Sequence, residues 1–168
     1  KSIYKTLKDK YKILVCEPDS EFISKIKKFK PDVVYNSLHG RFGEDGYIQA
    51  LLENLKVKYT HSGVNSSSIA MDKEISKRIF IRNNIRTPKF LKLNNFDLIK
   101  DKNTLLKNIE IKLGFPVVIK PVDEGSSVDV NICNKKNIIK NLKKLSSYKE
   151  VLVEKYIGGR EIQVAIMG

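Results

Sequence analysis

The sequence predicts two units of different build, an α/β unit with a parallel sheet followed by an α+β unit. Residues up to Tyr59 alternate apolar runs with helical stripes in the order β-α-β-α-β, and short connections of that kind make parallel sheets with helices on their faces. Beyond Thr87 and Pro88, which resist helix, the order changes to β-α-β-β-α-β. The expected domains are residues 1–68 and 69–168.

Residues 1–8 read as the tail of a helix, and residues 11–16 (YKILVC) as the first strand. Ser20 is the expected N-cap of a helix over 21–30, in which Phe22, Ile23, Ile26 and Phe29 form one stripe and Pro31 ends it. Residues 32–38 read as a buried strand, and a glycine-rich loop follows over 39–46. Asp45 is placed to cap the next helix, where Tyr47, Ile48, Leu51, Leu52 and Leu55 recur at helical spacing. Residues 57–59 make a brief strand.

A short helix from Asn65 precedes a longer one around 75–81, and residues 88–93 read as a strand. Leu105, Leu106, Ile109 and Leu113 form a helical stripe, as do Ile138, Ile139, Leu142 and Leu145. Strands at 116–120 and 128–133 flank a serine-containing turn, 151–156 is another strand, and 161–167 begins one more. The chain opens without methionine inside a helix and closes inside a strand, so a fragment of a longer protein is expected. Its last strand, EIQVAIMG, would leave an apolar edge that promotes self-association.

With 41% hydrophobic and 30% charged residues, the 168-residue chain has the make-up of a soluble globular protein. No apolar run nears the roughly 20 residues of a membrane span, so no membrane association is expected. Cys16 and Cys133 lie in separate strand-like runs and form neither a metal-type nor a redox-type pair, which suits reduced thiols in a cytoplasmic protein. The net charge of +13 invites a nucleic-acid reading. The only arginines are Arg41, Arg78, Arg82, Arg86 and Arg160, while bidentate readers of phosphate and guanine favour arginine. The lysines are spread along the chain, so a solvated basic surface is expected and no nucleic-acid partner.

Four loops carry candidate chemistry. In VVIKPVDEGSSVDV an apolar strand ends in Lys120, and Gly125, Ser126 and Ser127 follow; the ammonium, backbone N–H groups and hydroxyls suit an anion such as phosphate, although the same residues suit a plain hairpin. LHGRFGEDG sits at the carboxyl end of a strand, where open α/β sheets bind ligands; His39 there is either a ligand-facing group or part of a simple helix connection. In VEKYIGGRE, Glu154 ends a strand and Glu161 follows a Gly-Gly turn, which suits either a cleft or a solvated corner. Lys73 opens a helix in MDK, where a surface lysine is the ordinary reading.

Together these pieces resemble the D-alanine–D-alanine ligase family, from Asp32 to the end of the chain. LHGRFGEDG is similar to the family's LHG-x-x-GEDG loop, and YTHSGVNSSSIAMDK to its Y-T-x-SGV…S-x-x-x-x-DK segment. VVIKPVDEGSSV is similar to its KP…GSSVG turn, and VEKYIGGRE to its EK/Q-aromatic…G-x-E strand. The resemblance implies a parallel-sheet, Rossmann-like pre-ATP-grasp domain followed by the small subdomain of an ATP-grasp domain, with the large subdomain incomplete.

The resemblance also implies roles. Lys73 and Lys120 would bind ATP phosphates from two sides, and Ser127 with the Gly125 turn would close over them. Glu154 and the backbone of Tyr156 and Ile157 would hold the adenine, and Glu161 the ribose hydroxyls. His39 and Ser126 would bind the first D-alanine, Ser126 being the catalytic residue. Mg²⁺ or Mn²⁺ would serve the phosphates, with its ligands beyond residue 168 and none in this chain. The implied reaction activates one D-alanine as an acyl phosphate and lets the amine of a second displace phosphate, in a cytoplasmic homodimer when full length. A relative joining D-alanine to D-lactate or D-serine, or another ATP-grasp carboxylate–amine ligase, is the alternative that is still an enzyme of this kind. A lysine-rich nucleic-acid module is the alternative outside that class, and a salt titration with duplex DNA separates that one.

This chain departs from the family at Asp129, where glycine is usual. It also has no counterpart of the family's N-terminal GG-x-S-x-ER-x-VS loop or of its C-terminal half, so the fragment alone is not expected to turn over.

Overall fold

The computed structural model describes residues 2–94 and 101–165. The chain divides into two compact units, one ending at Ser68 and the other beginning at Ile69.

The first unit contains helices α1 (Ser2–Leu7), α2 (Phe22–Phe29) and α3 (Tyr47–Asn54) and strands β1 (Val33–Val34) and β2 (Lys58–Tyr59). The strands pair in parallel, Val33 opposite Lys58 and Val34 opposite Tyr59. Spacing of i, i+4 puts Phe22 and Ile26 on one face of α2 and Ile48 and Leu52 on one face of α3, and these four side chains are the buried core. Lys30 closes α2 in the left-handed conformation, φ 54°.

Three expectations are corrected here. Residues 11–16 form no strand, and Tyr11, Leu14 and Val15 are exposed. A strand needs a neighbour for its N–H and C=O groups, and among the described residues β1 pairs with β2 alone. Ser20 is not the N-cap of α2: the cap residue is Glu21, whose N–H donates to the Asp19 carboxylate at 2.9 Å. The strand expected over 32–38 is regular only at Val33 and Val34, because Asn36 is drawn off into loop hydrogen bonds.

The unit boundary falls within α4 (Val64–Met71). Beyond it come α5 (Lys73–Arg82), β3 (Phe90–Asn94), α6 (Lys102–Lys112), β4 (Val117–Pro121), β5 (Asn131–Cys133), α7 (Ile138–Lys144) and β6 (Glu150–Lys155). The four strands form an antiparallel sheet in the order β3-β6-β4-β5, with β6 pairing on both sides. Asp72 caps α5 by accepting the Ile75 N–H at 2.9 Å, and Asp101 caps α6 by accepting the Asn103 N–H at 2.9 Å.

Strand residues alternate between two faces, and register fixes which residues share one. Leu93, Val117, Ile119, Cys133, Val151 and Val153 lie on one face. They bury against Leu105, Ile109 and Leu113 of the α6 segment and Ile138, Leu142 and Leu145 of the α7 segment. Each fully buried Leu, Ile or Val contributes roughly 1.5–3 kcal/mol, so this layer holds the unit together. The strand expected over 161–167 is absent in its described part, residues 161–165, where Ile162 and Val164 are exposed; positions 166 and 167 lie outside the described residues.

Candidate functional site

The second face of the same sheet is charged. It carries Phe90 and Lys92 of β3, Glu150, Leu152 and Glu154 of β6, and Val118 and Lys120 of β4. Helix α5 meets it with its buried residues Glu74 and Lys77, while Ile75, Ile79, Phe80 and Ile81 on α5 are exposed. The helix thus packs its charges inward.

Glu154 is the centre of this face. One carboxylate oxygen accepts from Lys120 and the other pairs with Lys77 at 2.9 Å. Burial pushes the Glu154 carboxyl up, but the hydrogen bonds from Lys120 and Lys77 outweigh burial and hold it below the usual carboxylate range. Lys77 also donates to Thr87 Oγ1 at 2.7 Å and lies 5.2 Å from the centre of the Phe90 ring. A second cluster lies one turn earlier on α5. Glu74 binds Arg78 at 2.6 Å and Lys92 at 2.6 Å, and Lys92 reaches Glu150 at 3.0 Å.

Lys120 and Lys73 flank the loop that leaves β4. The Lys73 backbone N–H donates to Val122 O at 3.1 Å, and its ammonium donates to the carbonyls of Val122, at 3.3 Å, and Glu124. Burial lowers the Lys73 pKa, and the like charge of Lys120 lowers it further. An anion between the two ammonium groups would relieve the repulsion felt by Lys73.

The serine turn follows. Ser126, Ser127 and Asp129 have φ values of 48°, 57° and 55°, the left-handed region that L-residues seldom adopt. Among the described residues, the N–H groups of Gly125, Ser126 and Ser127 make no intrachain hydrogen bond. Such successive N–H groups form an anion-binding concavity. Asp129, where the resembling family has glycine, takes the backbone conformation that glycine adopts freely. Aspartate is among the few side chains that tolerate it, and Tyr148 donates its hydroxyl to Asp129 Oδ2 at 2.7 Å. That hydrogen bond pushes the Tyr148 hydroxyl up to about 12. The ring of Tyr148 packs against the apolar core, so the turn is anchored through it.

Beyond Glu154 the chain leaves the sheet. The Tyr156 N–H is committed to Pro116 O at 3.2 Å, so it is not available to a ligand. Ile157 is exposed, and Glu161 is exposed in a stretch without regular structure. Neither reaches the Glu154 cluster through a hydrogen bond or ion pair among the described residues.

His39 lies in the first unit, in the loop between β1 and α3. The Gly40 N–H donates to Glu44 at 2.7 Å, and His39 Nδ1 is 3.6 Å from the same carboxylate, with the ring open to solvent. Buried Asn36 and Gln49 both donate to Gly43 O, at 2.8 and 2.9 Å. A Cβ at Gly43 would sit 2.4 Å from Leu38 Cβ, so only glycine closes this loop. Asp45 accepts the Tyr47 N–H at 3.1 Å and so supports the start of α3, with Gly46 as the cap residue.

Of the residues singled out in the sequence, the structure joins Lys120 to Glu154 and sets Lys73, Gly125, Ser126 and Ser127 along the loop that follows Lys120. The sequence reading missed Lys77, Glu74 and Tyr148. The available signal was in α5, where Ile75, Ile79 and Phe80 cover one side of the helix and leave Glu74 and Lys77 on the opposite strip.

Both units are similar to known proteins. The sequence model described as D-ala D-ala ligase N-terminus matches residues 8–62, and that described as D-ala D-ala ligase C-terminus matches residues 79–168. The D-alanine–D-alanine ligase of Pelagibacter ubique is 62% identical over 161 residues, which are 96% of this chain and 52% of that protein. Among solved structures, the D-alanine–D-alanine ligase of Bacillus anthracis superposes with a TM-score of 0.76 at 38% identity, over 90% of this chain and 49% of that one. The same enzyme complexed with ATP gives 0.71 at 35% identity, over 90% and 50%. The chain spans about half the length of the curated relatives it matches.

Proposed function

Because this chain belongs to the D-alanine–D-alanine ligase family, we propose that the whole protein uses ATP to join two D-alanines into D-alanyl-D-alanine for peptidoglycan synthesis. The observation that carries the reading is the grouping on one sheet face and its adjoining loop: Lys120 beside buried Glu154, Lys73 crowded by Lys120's charge, and a turn of free N–H groups. These residues fit a nucleoside triphosphate. Two ammonium groups and the turn face the phosphates, and Glu154 is the acceptor for the exocyclic amine of a base. A lysine about 4 Å from a phosphate charge gains roughly 4 kcal/mol at an effective dielectric near 20.

ATP supplies the phosphoryl group. The carboxylate of the first D-alanine attacks the γ-phosphorus and ADP leaves, which gives an acyl phosphate; the amine of the second D-alanine then attacks the acyl carbon and phosphate leaves. The chain's own contribution is to hold and neutralise. Lys73 and Lys120 offset charge on the phosphates, which is most of what phosphoryl transfer needs from a protein. Ser127 and the Gly125 turn close over them and keep water from the acyl phosphate. Glu161 takes the ribose hydroxyls, and the carbonyl of Tyr156 with the backbone of Ile157 lines the base. His39 and Ser126 receive the first D-alanine, His39 near its carboxylate.

The residues described do not supply a metal set: among them no cluster of three or more His, Cys, Asp or Glu side chains could hold an ion. A divalent cation, Mg²⁺ or Mn²⁺, would neutralise charge on the phosphates when bound, held by residues other than those described. Among the described residues no helix is long and apolar enough to cross a membrane. Location in the cytoplasm and a homodimeric state belong to the same proposal.

The test is phosphate release by the full-length protein. Release requires D-alanine and a divalent cation and stays near background with L-alanine. Equal turnover with both enantiomers overturns the assignment.

A further inference from the structure

Lys77 and Lys120 divide one carboxylate between them. Lys77 pairs with Glu154 Oε2 and Lys120 with Glu154 Oε1. The two lysines are otherwise unlike. The Lys77 side chain is 8% exposed and is fixed on three sides, by Glu154, by Thr87 Oγ1 and by the Phe90 ring. The Lys120 side chain is 21% exposed, and among the described residues its ammonium has no other hydrogen-bond partner than Glu154. An incoming anion therefore meets Lys120 and cannot meet Lys77.

The charges sharpen this. Glu154 and Lys77 alone make a neutral buried pair, which leaves the charge of Lys120 in surplus. Were Lys77 absent, Lys120 would be the sole counter-ion of a buried carboxylate, and turning it toward an anion would strand that carboxylate without compensation.

We propose that Lys77 is a positioning residue, a standing counter-ion that holds Glu154 so that Lys120 can turn from Glu154 to a phosphate. Base-facing and phosphate-facing groups are thereby coupled through one carboxylate. This rests on the reading of Lys120 as a phosphate ligand and deepens it: sequence spacing shows Lys77 only as a helix lysine four residues after Lys73.

The experiment uses the full-length protein and compares ATP with adenosine, which has the base but no phosphate, by calorimetry. Lys77→Met weakens ATP at least tenfold and adenosine less than threefold, because Lys120 is then retained by Glu154. Adding Glu154→Gln to Lys77→Met removes the charge that retains Lys120 and restores the wild-type ratio of ATP to adenosine affinity. Equal losses for both ligands, undiminished ATP affinity, or a double variant that fails to restore the ratio each overturn the proposal and leave Lys77 a structural lysine. Nitrogen-15 spectra of the lysine ammonium groups in the wild type test it without any variant: ATP shifts Lys120 and leaves Lys77 in place, and a larger shift at Lys77 overturns it. If the wild type binds ATP no better than adenosine, the phosphate reading of Lys120 itself fails, an outcome separate from those above.

Discussion

The two faces of the four-stranded sheet are built from the same strands, by residues one position apart, and do opposite work. Val151 and Val153 of β6 bury among aliphatic side chains, while Glu150 and Glu154 on the same strand bind lysines. The apolar face is where folding free energy comes from, because aliphatic burial needs no geometry beyond close packing. The charged face gains little net stability from its pairs, since desolvation of buried ions offsets most of their attraction. Its residues are explained by what they can hold. A period of 2 along a strand lets one segment supply both a foundation and a ligand-facing surface.

The largest effect expected is on the charged face. Glu154→Ala removes the shared partner of two lysines and leaves Lys77 buried and unpaired, which costs about 3–5 kcal/mol of stability in denaturant unfolding. Acid acts in the same direction. The folded Glu154 carboxyl lies below its ordinary value of 4.5, so its contribution is complete above that value and is lost as pH falls through the lower, folded one. A variant as stable as wild type would show that the charged face is an exposed, hydrated surface. Ile119→Ala, on the apolar face, is expected to cost about 2–4 kcal/mol and to leave ATP affinity per folded molecule unchanged. A selective loss of ATP affinity there would break the division between the faces.

Lys120→Ala separates the two roles most cleanly. Its side chain is partly exposed, so the fold survives, while turnover of the full-length enzyme falls on the order of a hundredfold. Turnover near wild type would make Lys120 a strand-end solubiliser. The smallest effect belongs to Tyr148→Phe. The Tyr148 hydroxyl is raised from 10 to about 12, so its bond to Asp129 is intact below pH 10 and is lost as pH rises through about 12. The variant should speed amide exchange at Val128 and Val130 at neutral pH, remove the alkaline step, and leave the unfolding midpoint in place.

The order of elements in the second unit was legible because its apolar residues follow clean periods. Leu105 and Ile109, and Ile138 and Leu142, are one helical turn apart, and the strand residues alternate. The run at 11–16 misled because strand formation depends on a neighbour, which hydropathy alone does not reveal. Lys120 was visible as a charge ending an apolar strand, and Gly125 to Ser127 as small residues at a turn. Lys77 was not, since a lysine inside a helix ordinarily marks the solvent side. Its burial follows from Glu154 across the sheet, 77 positions away in sequence. The Asp129–Tyr148 bond was hidden for the same reason, because it joins a turn to the approach of a strand 19 residues later.

The left-handed turn at Asp129 ties positions 129 and 148 together energetically. Glycine adopts this conformation freely, whereas the aspartate here accepts a hydroxyl from position 148. Substitutions at the two sites are therefore expected to be non-additive: Tyr148→Phe removes a hydrogen bond from this chain and removes nothing once position 129 is glycine.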